Sequence, residues 1–149
     1  MTEEDWLACA DPTPMLAFLR DREKEHEKRL RRFAIGCCQH AWNLMPENGI
    51  SLIIEAEHFS EGIITRYQRD CAVAAFRAVY GHFGADTPIL QAAYRCKNIP
   101  IDVYTANIIA SDIAVAVGKA ADPKPRSTSY ATAYNAERVA QATLFRCIF

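Results

Sequence analysis

Three places in this chain bring together residue types that could do chemistry. The first is Gly36-Cys37-Cys38-Gln39-His40, where two thiols and an imidazole fall within about one helical turn. Thiolate and imidazole are ordinary zinc ligands, and a cysteine of lowered pKa is a nucleophile or a redox group. The second is Glu55-x-x-His58, echoed by Glu23-x-x-His26. A carboxylate and an imidazole one turn apart on an inward helix face form half of a di-iron site in a four-helix bundle. The third is Asp112, a carboxylate in the apolar run ANIIASDIAVAVG at 106–118. An acid buried there needs a partner or takes a raised pKa, and raised acids often mark active sites.

Spacing narrows each idea. At 100° per residue, Leu30, Phe33, Ala34, Cys37, Ala41 and Leu44 share one apolar stripe with Cys37 at its centre. Cys38 and His40 then fall on opposite flanks, roughly 160° apart, and cannot serve one ion. Cys37 and His40 could share one, but tetrahedral zinc needs two further ligands. Adjacent cysteines on a helix diverge too far to bridge each other. A packed, carbon-lined role for Cys37 is therefore expected. The alternative is a metal- or thiol-dependent sensor or enzyme centred on Cys37, with Cys38, Cys71 or His58 as companions.

Glu23 and His26 sit in RDREKEHEKRLRR at 20–32, where charges alternate on nearly every face, so solvation is expected. A complete di-iron site would need two more inward glutamates on other helices, and residues 66–119 contain none. In the same run Glu25–Arg29 and Glu27–Arg31 are favourable i, i+4 pairs. Arg29, Arg31 and Arg32 form a solvated face that could meet an acidic partner. Without aromatic interleaving or a groove-reading motif, nucleic acid is not expected. Asp112 is expected to pair with an arginine of a neighbouring helix, or to share a polar stripe with Thr105, Ser111 and Lys119. A small enzyme built around Asp112 is the sharper alternative. No serine elbow, Walker loop, dinucleotide glycine signature or HExxH occurs. No catalytic, cofactor-binding or metal-binding residue is assigned.

The elements that must position these groups read as helices near 2–10, 14–20, 22–45, 50–61, 65–82, 88–97, 101–119 and 129–148. Their starts are marked by Thr2 with Asp5, Thr13–Pro14, Thr65 with Gln68, and Thr87–Pro88. Stops fall at Pro46 to Gly49, Gly62, Gly81 to Gly84, Asn98 to Pro100 and Ala120 to Ser129. The helix from 65 carries the apolar stripe Ala72, Ala75, Phe76, Val79 and Phe83. Strand alternation is absent. The expectation is an all-α, single-domain bundle of seven to eight helices over 1–149, with a flexible, solvated loop at 120–129.

The chain has 149 residues, half of them hydrophobic, and a formal net charge of −1. That balance suits an ordinary globular domain and argues against a strongly basic nucleic-acid binder. The acidic start MTEEDWLACADP is unlike a secretory signal. The most apolar window, Ile101 to Val117, carries Asp102, Asn107 and Asp112 and is short for a membrane span. Six cysteines without a CxxC pair are read as reduced thiols. A cytoplasmic protein is expected.

MTEEDWLACADPTPMLAFLR, RLRRFAIGCCQHAWNLM, AEHFSEG and AQATLFRCIF carry a resemblance. They resemble an uncharacterised planctomycete-type bacterial family that opens with MTE-x-x-WL and DP-x-PML-x-FLR, followed by an RKLRLFACACCR-x-x-W helix. Trp6, Pro12, Pro14, Met15, Leu16, Phe18, Leu19, Arg20, Arg29, Leu30, Phe33, Cys37, Cys38 and Trp42 fall on that pattern. The likeness is specific over roughly the first 62 residues and the last dozen. It implies an all-α domain of unknown function and supplies no catalytic residue or cofactor. Members of that family tend to continue beyond the position of Phe149, which implies a short member or a missing C-terminal segment.

With little catalytic raw material and abundant apolar residues, the chain reads as a non-catalytic helical module that binds another protein. That reading expects an apolar surface patch.

Overall fold

The computed structural model describes residues 1–81, 87–97 and 100–149, without the side chains of 22–25. Glu23, Glu25, Phe83 and parts of two predicted stops lie outside that description. Eight helices and no strand occur among the described residues: α1 (Glu3–Ala8), α2 (Pro12–Phe18), α3 (Glu23–His40), α4 (Glu47–Ser60), α5 (Arg66–Tyr80), α6 (Pro88–Arg95), α7 (Val103–Ala121) and α8 (Thr128–Ile148). The protein is an all-α bundle.

Local chemistry sets most boundaries. Thr2 and Asp5 form a reciprocal capping box, as do Thr65 and Gln68, so two of the expected starts are found in place. Asp102 and Ser127 cap α7 and α8 through their side-chain oxygens. Other boundaries move. Helix α2 is capped by Asp11, not Thr13, because Asp11 accepts from the Thr13 N–H at 2.7 Å and Pro12 takes the first helical position. Thr87 precedes α6 but makes no side-chain capping bond there.

The expected helix over 22–45 is broken. Helix α3 ends at His40, Ala41 leaves helical geometry, and Trp42–Leu44 form a 3-10 turn. Helix α4 then starts at Glu47, inside the predicted stop. Gly49 makes this possible: a Cβ there would sit 3.0 Å from the Met45 sulfur. The predicted flexible loop at 120–129 also shrinks. Helix α7 runs to Ala121 and α8 begins at Thr128, and Asp122 and Lys124 tie the turn between them.

Helix α7 is the hub, packing against α2, α3, α6 and α8. Its buried residues, Val103, Ala106, Ile109, Ala110, Ile113, Ala114, Ala116 and Gly118, cover much of its circumference. Small residues let neighbours approach closely. A Cβ on Gly118 would lie 2.8 Å from the Tyr130 ring of α8. The second half of α3 is also enclosed: Phe33 through Cys38 are all buried. Its first half stays charged, but Arg31 is buried and donates to Glu27 at 2.7 Å, in a cleft beside Glu57 of α4 and Glu61 just after it. The charge run is therefore not a uniformly solvated face.

Helix α5 is peripheral and packs chiefly on α4. Among the described residues of its predicted apolar stripe, only Phe76 is buried; Ala72 is half-buried, while Ala75 and Val79 are exposed. Phe76 stacks on Tyr94 of α6 and tilts against Tyr80, and Ala72, Val73 and Tyr80 pack beside it, half-buried against the core.

Candidate functional site

The interior of the bundle holds a sulfur pair next to a polar seam. Cys37 is fully buried, as its place on the α3 stripe requires. Cys38 is fully buried too, and its Sγ lies 3.6 Å from Sγ of Cys96. Cys96 follows the last turn of α6. Thus Cys38, not Cys37, meets a second sulfur. Cys71 is exposed on α5, and His58 is half-buried near the end of α4. All six cysteines are free thiols. No group of three or more histidine, cysteine, aspartate or glutamate residues is placed to hold a metal among the described residues.

Burial and the Glu137 charge push the Cys37 thiol well above its usual pKa. The bond to Cys96 comes first for Cys38, followed by burial, and pushes it the same way. Both thiols are held protonated at neutral pH, the opposite of an activated nucleophile.

The polar seam is carried by α8. Counting back from Phe145, the residues Ala142, Gln141, Arg138 and Glu137 lie on one helical face, and all are buried. Gln141 is fully satisfied: its Nε2 donates to Ala110 O and to Glu137 Oε1, each at 2.9 Å, and its Oε1 accepts from Arg138 at 3.0 Å. Arg138 also donates to Asp11 Oδ1 at 2.6 Å and to the Thr13 hydroxyl, which in turn donates to Asn107 at 3.1 Å. Burial raises the Asp11 carboxyl, but bonds from Thr13 and Arg138 outweigh it, and the group sits below its usual pKa.

Glu137 reaches the other way, 3.1 Å from Nδ1 of His40. A carboxylate only accepts, so Nδ1 carries the hydrogen. The bond to Glu137 raises the His40 pKa, more than burial lowers it. His40 thus belongs to the seam and not to a ligand set with Cys37. An inward glutamate does exist on a distant helix, but Gln141 and His40 occupy it.

Asp112 pairs with Arg95 of α6, the neighbouring-helix arginine expected for it. Burial raises its carboxyl to about 6 against the opposing Arg95 charge. Arg95 also donates to Gln91 at 3.1 Å, so the acid faces a guanidinium already fixed in place. Asp112 is thus half-buried and held in an interhelical ion pair.

The sequence reading missed Glu137, Arg138, Gln141, Asp11 and Cys96. The first three carried a usable signal: they share a helical face with Ala142 and Phe145. Asp11 and Cys96 carried none, because their partners lie 127 and 58 residues away.

The outward face of α5 is the second feature. Tyr67, Cys71, Ala74 and Ala78 recur at i, i+4, i+7 and i+11, with Ala75 and Val79 beside them, and all are exposed. Tyr67 is 78% exposed, Val79 59%, and Ile63 just before the helix 62%. Asp70, Val73, Ala74, Arg77 and Ala78 line a shallow open groove of about 630 Å³ along one flank. Other large apolar residues, such as Leu7, Phe18 and Tyr104, are exposed elsewhere.

No helix among the described residues is long and apolar enough to cross a membrane. No protein-family model matches the chain, and neither a curated protein nor a solved structure matches it.

Proposed function

We propose that this chain is a non-catalytic, cytoplasmic helical module that binds another protein through the outward face of α5. One observation carries the reading. Helix α5 packs Ala72, Val73, Phe76 and Tyr80 inward and still turns a second row of apolar residues, Tyr67, Cys71, Ala74, Ala75, Ala78 and Val79, to solvent. Small residues at 74, 75 and 78 leave that face flat enough for close approach by a partner helix. The full burial of Cys37 and Cys38 and the pairing of Asp112 with Arg95 add support.

The same proposal includes the planctomycete-type likeness, because its separated segments meet in space. The Trp6 ring lies 6.1 Å from Phe18 and 5.5 Å from Phe145, and Arg146 donates to Cys9 O at 2.6 Å. Most of the pattern's apolar residues are buried.

A photo-reactive amino acid at Tyr67, with a control at exposed Ser51 on α4, tests the reading in intact cells of the host. A discrete adduct from position 67 and none from 51 is expected. Absence of any adduct from 67 overturns it.

A thiol-based reading has one observation in its favour, the 3.6 Å approach of Cys38 to Cys96. It requires these thiols to react in the native state.

A further inference from the structure

We propose that the outward face of α5 binds a second copy of this chain, pairing α5 with α5 antiparallel about a two-fold axis near residues 73–74. This inference rests on the reading of α5 as a docking surface and names its occupant.

The argument is one of self-complementarity. In a two-fold antiparallel helix pair each flank faces its own counterpart, and residue i lies opposite the residue at a constant sum of positions. Asp70 and Arg77 share one flank of α5, seven residues apart, which is about 10 Å along the axis. With a register sum of 147, Asp70 of each copy lies opposite Arg77 of the other, so one pairing makes two ion pairs. The same register sets Ala74 opposite Val73 beside the axis and Tyr67 opposite Tyr80, next to Val79. The small side chain at 74 permits an axis separation near the lower end of the ~8–10 Å range for packed helices. The large exposed groups, Tyr67 and Val79, fall at the two ends, where antiparallel pairing matches each to the other.

Both charged groups are engaged within the chain, Asp70 by Arg69 and Arg77 by the Tyr94 ring and hydroxyl, but both remain exposed to a partner. Both bonds from Arg69 fall on Oδ1 of Asp70, and Arg77 is engaged through one amino nitrogen, by Tyr94. The groove along this flank is lined by Asp70, Ala74, Arg77 and Ala78 themselves, so it is open where the second helix would lie. A contact carried by one 15-residue helix is small for a specific interface. The dimer is accordingly reversible, with a dissociation constant on the order of 10–100 μM.

Charge reversal supplies the test by sedimentation velocity, with circular dichroism confirming the fold of each variant. Asp70→Arg places arginine against arginine twice, and Arg77→Asp places aspartate against aspartate twice. Each variant alone is expected to stay monomeric, with association at least ten-fold weaker than wild type. An equimolar mixture is expected to form a heterodimer, because both cross-pairs then become attractive. Wild-type protein that stays monomeric at about 1 mM, ten-fold above the expected dissociation constant, overturns the inference. So do single variants that associate as wild type does, or a mixture that fails to rescue.

The photo-cross-link at position 67 separates this failure from failure of the broader reading. An adduct of twice the chain mass supports the second copy. An adduct with a different protein overturns the second copy and leaves the docking surface standing, and no adduct overturns both.

Discussion

Cys38 meets Cys96 in the interior, where burial and that contact push the Cys38 thiol up and out of ready ionisation, and this decides its reactivity. Disulfide exchange and alkylation both proceed through the thiolate. With Cys37 and Cys38 raised by burial and their neighbours, and Cys96 buried against Cys38, a native-state reagent should find only the outer thiols. We expect a water-soluble maleimide to modify Cys71 and Cys147 promptly and Cys37, Cys38 and Cys96 only on unfolding, as read by mass spectrometry of labelled peptides. Rapid native labelling of Cys38 or Cys96 would revive the thiol-based reading.

Asp112 tests the same physics with opposite bookkeeping of charge. Its folded-state pKa of about 6 exceeds the reference value of 3.8. Between those values the folded protein holds a proton that the unfolded chain has released, so stability falls as pH rises from about 4 to about 6. The contribution is fully present below 3.8 and lost above the folded value. We expect Asp112→Asn to flatten this fall, removing about 1–3 kcal/mol of pH dependence in denaturant unfolding measured at pH 4 and pH 7. An unchanged slope would place the titration elsewhere. That Asp112 would meet an arginine was legible from its apolar surroundings. That the arginine would be Arg95 was not, because the choice depends on how α6 crosses α7.

At the scale of elements, the strong local signals were legible and the weak ones misled. Two capping boxes and the apolar run of α7 act within a turn or two of chain and survived into the structure. The start of α4 failed because Pro46-Glu-Asn-Gly49 resembles a turn locally, while packing against Met45 rewards a glycine inside the helix. The α5 stripe held at Ala72 and Phe76 and missed at Ala75 and Val79, because Val73 and Tyr80 pack inward in their place and periodicity does not say which of two apolar rows is covered.

Glycine contacts make the element scale measurable. A Cβ on Gly36 would come within 2.7 Å of Leu144 Cδ2, the far end of a flexible side chain. One on Gly118 would come within 2.8–3.0 Å of three atoms of the Tyr130 ring, which is stiff and stacks at 6.0 Å on Tyr134. Alanine gains about 1 kcal/mol over glycine inside a helix, whereas overpacking costs about 1–3 kcal/mol. We expect Gly36→Ala to be near neutral because Leu144 can rotate away. Gly118→Ala should destabilise by about 1–2 kcal/mol in chemical denaturation. Equal effects would mean that α7 and α8 separate as easily as Leu144 turns.

For the whole molecule, stability and association are divided between different surfaces. The fold rests on α7 and the faces packed on it, while α5 is held chiefly through Phe76, one of the largest fully buried side chains. Tyr67 and Val79, on the same helix, are mostly exposed and contribute little to folding. Paired substitutions can therefore separate the two properties. Phe76→Ala should cost about 3–5 kcal/mol of stability, because it removes the anchor and leaves a cavity under Tyr94. Tyr67→Lys with Val79→Lys should change stability by less than about 0.5 kcal/mol, as surface changes usually do. The same double variant puts four lysines into the α5–α5 contact and should abolish self-association in sedimentation velocity. If it instead unfolds the protein, the exposed stripe is part of the core after all, and α5 is covered by its own chain. If it leaves both stability and association unchanged, the surface that this fold exposes on α5 has no binding role.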